Sequence, residues 1–225
     1  MEKLLLAGKA VEIFPSPQEG APLVLLHTVQ GEGQRVYEAV GKLTAAEFSL
    51  AAIGGLRWSD EMSPWAIPPI ARGGSPCTGG ADAYLTKLTA VILPEILRRL
   101  PRQPAYIALG GYSLAGLFAL YAMYRTDLFG RIASVSGSLW YPRFLQFAQS
   151  QKLERVPECI YFSLGDKEAR TRNKVLRPVE ETTRLLKNYY HERGIPAIME
   201  MNPGNHFTDS IGRMAKGISW ILSWR

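Results

Sequence analysis

Ser113 stands in Tyr106-Ile-Ala-Leu-Gly-Gly-Tyr-Ser-Leu-Ala-Gly-Leu-Phe-Ala-Leu-Tyr, between a β-rich apolar run and an apolar helical one, in a turn crowded with small residues. A serine lifted onto a sharp strand-to-helix turn presents its hydroxyl for nucleophilic attack on a carbonyl carbon. The backbone there is strained, and the residues two before and two after must be small for strand and helix to approach. Gly111 and Ala115 fill those places, so the pattern is G-x-S-x-A, with Gly116 one position later. A serine so placed can also be only a helix N-cap. The preceding strand, the small flanks and a histidine further along the chain favour the nucleophile.

The chain has three histidines to serve as the base. His191 falls near the end of a charged helical stretch and reads as an exposed side chain. His27 ends an apolar strand but precedes the nucleophile. His206, in Asn-Pro-Gly-Asn-His-Phe, lies on a loop between the last strand and the last helix, after nucleophile and acid in chain order, and is the expected base. The acid is expected in Gly165-Asp-Lys-Glu. Glu168 is the first choice because its longer side chain can reach the imidazole, and Asp166 is the second, better suited to bond backbone N–H groups in a tight turn. Asp209 reads as an early helix residue favoured by the helix dipole. A developing oxyanion needs two backbone donors, expected from Leu114, just after the serine, and from Val29 or Thr28 in the loop after the first buried strand.

These residues need a scaffold that brings loops from distant parts of the chain to one edge. Short β-rich runs alternate with amphipathic stretches, the pattern of a mostly parallel sheet flanked by helices. Strands are expected at 11–14, 23–26, 48–53, 106–109, 132–135, 160–164 and 197–201, and helices at 81–100, 114–125, 175–192 and 210–224, the first of them containing Pro94. Residues 56–80, rich in Pro and Gly with Trp58 and Trp65, interrupt this rhythm and are expected to form a long ordered loop over the site. At 225 residues and 47% hydrophobic composition, the expectation is one domain over 1–225.

Other classes of function are disfavoured. The formal charge of +6 comes from scattered basic residues without an aromatic-flanked basic run, so nucleic acid is not expected as a partner. No uninterrupted apolar run approaches the roughly eighteen residues of a membrane span, and the N-terminal stretch lacks the marks of a signal peptide. Cys77 and Cys159 are too few and too differently placed for a disulfide framework, which fits a reducing cytoplasm. No metal-ligand cluster is visible, and no cofactor is expected.

The same residues resemble an esterase family of α/β-hydrolase fold that includes enterobactin esterases, S-formylglutathione hydrolases and feruloyl esterase-like enzymes. The carriers are Gly110-Gly-Tyr-Ser-Leu-Ala-Gly-Leu-Phe-Ala-Leu-Tyr, Asp127-Leu-Phe-Gly, Ser136-Gly-Ser-Leu-Trp-Tyr, Gly204-Asn-His and, towards the siderophore-esterase branch, Gly79-Gly-Ala-Asp-Ala-Tyr-Leu leading to Pro94. The resemblance implies cofactor-free hydrolysis of a small-molecule carboxylic ester. It also implies that Trp140 lines the substrate pocket. His27, Tyr112, Arg57, Trp58 and Arg72 are further expected substrate contacts, the loop residues supplying aromatic platforms and positive charge for an aromatic or anionic ester. Acyl transfer or peptide hydrolysis on the same fold, or a non-catalytic binding module, are the alternatives. Oligomeric state is not legible.

Overall fold

The computed structural model describes residues 1–71 and 73–224. Its strands are β1 (Glu2–Leu6), β2 (Lys9–Phe14), β3 (Leu23–His27), β4 (Ser49–Gly54), β5 (Ala66–Ile67), β6 (Cys77–Thr78), β7 (Ile107–Tyr112), β8 (Phe129–Val135), β9 (Cys159–Gly165) and β10 (Ala197–Asn202). Eight of them form one sheet in the order β1-β2-β4-β3-β7-β8-β9-β10, while β5 and β6 pair separately in the 56–80 segment. The β1–β2 and β2–β4 pairings are antiparallel, and the remaining six strands run parallel. This is the mostly parallel sheet of the α/β-hydrolase fold.

Helices cover both faces. On one side lie α1 (Gly33–Gly41) and α8 (Ser210–Ser223). On the other lie α3 (Ala81–Lys87), α4 (Leu93–Arg99), α5 (Leu114–Ala122), α6 (Phe144–Ser150) and α7 (Val179–His191), while the short α2 (Trp58–Glu61) belongs to the 56–80 segment. Because both faces are covered, the central strands are apolar at nearly every position instead of alternating with polar residues. In β3, Leu23 and Leu25 enter one core and Val24 and Leu26 the other, and all four are essentially inaccessible.

Several boundaries differ from the sequence-based expectation for identifiable reasons. The strand expected at 106–109 continues through Gly110, Gly111 and Tyr112, because β3 and β8 pair with it on both sides up to the turn. The helix expected from 175 begins at Val179. Pro178 precedes it, and a residue before proline is biased away from helical geometry. Pro94 does not end the 81–100 helix: a π-turn at Leu88–Ile92 joins α3 to α4, a widening that accommodates the ring and the missing N–H.

The edge hairpin β1–β2 turns through Ala7 and Gly8 alone, with φ of 50° and 79°. Two positive φ values in a two-residue loop define a type I′ turn, for which Asn-Gly is preferred, and an L-residue other than Gly pays about 1–2 kcal/mol there. Ala7 is exposed and its side chain has no packing to lose. Ala7→Asn is therefore expected to raise Tm by roughly 1–3 °C. A thermal melt with unchanged or lowered Tm would contradict this assignment of the strain.

Candidate active site

The chain passes from β3 to β4 on one side of the sheet, then to β7 on the other side of β3. A crevice therefore opens beyond the C-terminal ends of β3 and β7, where open α/β sheets bind ligands. Ser113 directly follows β7 with φ 59° and ψ −124°, a backbone region costly for any residue with a Cβ. Surrounding bonds hold it there: Ser113 N–H donates to the Val135 carbonyl at 3.1 Å, and the Ser113 carbonyl accepts from Gly116, Leu117 and Ser138 N–H at 3.0, 3.1 and 2.9 Å. A Cβ on Gly111 would lie 2.3 Å from the Ala115 carbonyl carbon and oxygen, and one on Gly116 would lie 2.9 Å from the Gly111 oxygen. Those contacts explain the G-x-S-x-A-G pattern. Gly111 must lack a Cβ, whereas position 115 tolerates a methyl group because it faces Gly111 itself.

His206 Nε2 lies 3.0 Å from Ser113 Oγ, and His206 Nδ1 lies 2.7 Å from Glu168 Oε2. The acidic partner selects the tautomer: Nδ1–H donates to the carboxylate, leaving Nε2 as acceptor for the serine hydroxyl proton. The second Glu168 oxygen accepts from Gly165 N–H at 2.7 Å and from Arg213 Nη1 at 2.9 Å. Burial alone would raise the Glu168 pKa. The hydrogen bonds from His206 and Gly165 and the His206 charge outweigh it and hold the carboxyl below its usual range. Asp166 faces elsewhere. Its Oδ1 accepts Gly204 N–H at 2.8 Å, so it clamps the loop carrying His206 without touching the ring. Asp209 is the N-cap of α8 and accepts Gly212 N–H at 3.1 Å.

Arg213, which sequence reading missed, is only 1% exposed and ties this assembly together. Besides Glu168 it reaches Ser136 Oγ at 3.1 Å and the carbonyls of Pro203 and Asn205 at 2.8 and 3.0 Å. Tyr112 adds a bond from its hydroxyl to the His206 carbonyl at 2.7 Å. Nothing in the local sequence of α8 marks Arg213, whose partners, with the Tyr112 hydroxyl at 3.3 Å, lie on four different segments. Ser138 was also missed as a side chain, although its motif was noticed; its Oγ lies 3.3 Å from Ser113 Oγ.

Of the expected backbone donors, Leu114 N–H opens α5, where a helix leaves its first N–H groups without intrahelical acceptors. Thr28 is corrected: its N–H is donated to the Ile53 carbonyl at 2.9 Å and cannot serve an oxyanion. Val29 N–H remains, and in this state it donates to Glu32 Oε2 at 3.1 Å.

Three clefts of about 410, 310 and 200 Å³ meet at Ser113. Trp58 lines the first and third, Tyr112 the first, and Trp140 the second and third. Two expected substrate contacts are corrected. His27 is 2% exposed, bonded through Nε2 to the Tyr84 hydroxyl at 2.8 Å and packed on Phe118, and burial pushes its pKa down to about 3. It is a neutral core residue beneath the loop. The Arg57 guanidinium pairs with Asp60 at 2.9 Å and Glu61 at 3.5 Å, at the surface, and lines none of these three clefts. Arg72 lies outside the described residues. Trp65 packs on Tyr141, Phe144 and Phe147, which makes it an anchor of the 56–80 segment. That segment is further pinned by the buried pair Lys9 and Glu61, 2.6 Å apart. Cys77 lines the third cleft, and burial raises its thiol pKa. Among the described residues no group of three His, Cys, Asp or Glu side chains is placed to hold a metal ion, and no helix is long and apolar enough to cross a membrane.

The sheet order and the helices on both its faces are those of the α/β-hydrolase fold. The chain belongs to the family described as "Putative esterase", whose model matches residues 34–209. It is 26% identical over 138 residues to the uncharacterized protein YbbA of Bacillus subtilis (strain 168), a match covering 60% of this chain and 55% of that protein, little more than half its length. Among solved structures it is similar to an IroE-like serine hydrolase from Shewanella oneidensis, with a TM-score of 0.74 at 17% identity over 94% of this chain and 74% of that one. It is also similar to the siderophore hydrolase EstA from Aspergillus nidulans, with a TM-score of 0.71 at 18% identity over 95% and 89% of the two chains. At such identities the two structures speak to the fold alone.

Proposed function

We propose that the protein hydrolyses carboxylic esters through an acyl-enzyme on Ser113, with His206 as general base and acid, Glu168 as the group that orients it, and Leu114 and Val29 N–H as oxyanion donors. The observation that carries this reading is the unbroken line of hydrogen bonds from Ser113 through His206 to Glu168, at a strained turn where three clefts meet. As Ser113 Oγ bonds to the acyl carbon, its proton passes to His206 Nε2. Charge accumulates on the acyl oxygen, where fixed backbone donors stabilise it more than they do the ground state. The carbon–oxygen bond to the alcohol then breaks, and the proton on Nε2 goes to the departing oxygen. Water enters, gives its proton to Nε2 and bonds to the acyl carbon, and Ser113 Oγ leaves with that proton as the acid is released.

Trp58, Trp140, Tyr112 and Phe207 wall the clefts, which supports an aromatic or siderophore-type ester as substrate. The siderophore part of the reading draws on the similarity to a siderophore hydrolase and to the siderophore-branch motif before Pro94. A panel of short-chain, aromatic and catecholate esters ranks these substrates.

Short-chain p-nitrophenyl esters are expected to be hydrolysed without added metal and with no effect of chelator, because proton transfer through His206 supplies the activation. Activity lost to chelator and restored by a divalent ion would refute the mechanism. A fluorophosphonate probe separates an enzyme from a non-catalytic binding module: Ser113 is expected to be labelled, and an unreactive chain would sink the reading.

A further inference from the structure

The largest cleft carries a group that hydrolysis of a simple ester does not require, the carboxylate of Glu32. None of the described residues lining the three clefts is Lys or Arg. Glu168, the other acidic residue there, is committed to His206 and Arg213. Among the described residues Glu32 is held by neutral donors, its Oε2 accepting the N–H groups of Val29 and Gln30 at 3.1 Å each. Its negative charge is thus available to the cleft, although the chain as a whole is basic.

The surroundings of Glu32 suit an organic cation. Trp58, Tyr112 and Phe207 line the same cleft, and Phe207 is 89% exposed. A cleft that holds both a carboxylate and aromatic side chains attracts an ammonium group, because the charge and the ring quadrupoles both favour it. His206 lines this cleft and the second but not the third, and the leaving alcohol must lie within reach of its Nε2 to receive a proton; of the two clefts that meet this condition, only this one holds the Glu32 carboxylate, since the acid of the second, Glu168, is bonded to His206 and Arg213. An alcohol seated in this cleft would bring a cationic group it carries to Glu32.

The bond to Val29 gives the same carboxylate a second role. An N–H group has one hydrogen, and while Glu32 accepts it, Val29 cannot donate to a developing oxyanion. We propose that Glu32 selects esters whose alcohol carries an ammonium group, and that its turn towards that ammonium releases Val29 N–H to the acyl oxygen. This inference rests on the reading of Ser113 as nucleophile.

Three esters of one acyl group test it: the 2-(trimethylammonio)ethyl ester, its neutral isostere the 3,3-dimethylbutyl ester, and the 2-carboxyethyl ester. For the wild-type chain kcat/KM is expected to be about tenfold higher for the cationic ester than for the neutral one, the size of one partly screened charge and cation–π contact, and lowest for the anionic ester. In Glu32→Gln, which keeps the size of the side chain, the cationic-to-neutral ratio is expected to fall to about one. The ratio is read within one preparation, with active sites counted by fluorophosphonate titration, so incomplete folding of the variant does not alter it. Equal rates on the three esters by the wild-type chain, or an undiminished preference in Glu32→Gln, overturns the proposal and leaves the hydrolase reading standing. Absence of both hydrolysis and labelling in the wild-type chain overturns the hydrolase reading and this proposal with it.

Discussion

Ser113→Ala and His206→Ala are each expected to lower ester hydrolysis by at least about a thousandfold, and the double variant by little more, because nucleophile and base act as one unit. The loss is specific to chemistry. The bonds that hold the turn run through the Ser113 backbone, to Val135 on one side and from Gly116, Leu117 and Ser138 on the other, and survive removal of the hydroxyl. Replacement by glycine separates the two contributions further. At φ 59° and ψ −124° a residue with a Cβ is strained, so Ser113→Gly is expected to be as inactive as Ser113→Ala but more stable by about 1 kcal/mol. Initial-rate assays together with thermal melts check both statements. Near wild-type activity in either alanine variant would remove the assignment of nucleophile and base.

Glu168→Gln is expected to produce the next largest effect, a fall in kcat of roughly a hundred- to ten-thousandfold. The carboxylate holds the tautomer in which Nε2 is unprotonated, and an amide can present its NH2 group to Nδ1 and reverse it. A second consequence follows from Arg213. This guanidinium is buried, and Glu168 is the carboxylate it is paired with, so neutralising Glu168 leaves an uncompensated charge. Breaking one side of a buried pair costs about 3–5 kcal/mol, and the carbonyl contacts that Arg213 keeps place the expected value at the lower end, roughly 5–12 °C in Tm. Asp166→Asn is expected to cost little kcat, since Asp166 accepts only Gly204 N–H within the site and the amide oxygen can do the same. The reverse ranking of the two variants would make Asp166 the acid, and full activity in both would indicate a Ser113–His206 pair acting alone.

Much of the scaffold was legible in the sequence because buried parallel strands need unbroken apolar runs. The strands of the main sheet after β1 were found within a few residues at each end, while α2, β5 and β6 lie in the segment read as a loop. Three elements outside that segment were missed. β1 reads as an undifferentiated run of leucines and becomes a strand only through the Ala7-Gly8 turn that pairs it with β2. α1 and α6 are short, and their signals, Val36 with Val40 in one and Phe144 with Phe147 and Ala148 in the other, are one to two turns long. Helices of that length have little intrinsic stability and form because tertiary packing covers one face.

The sequence by itself determined which residues stand at the candidate site, because their requirements are local: a small-residue turn for Ser113, a loop after the last strand for His206, and a carboxylate beyond Gly165. It also determined that Gly111 could not be replaced by a larger residue, since strand and helix meet within five positions. Only the tertiary structure decided what surrounds those groups. Arg213 is drawn to Glu168 across 45 positions, Lys9 to Glu61 across 52, and His27 is turned beneath the loop to Tyr84 across 57. The charge of the clefts belongs to the same category. Arg57 carries the sign that composition favours, yet it pairs with Asp60 and Glu61 and lines none of the three clefts, while Glu32 and Ser113 both line the largest of them. Composition counts charges, but a cleft responds only to those whose side chains reach it, and long-range packing selects them.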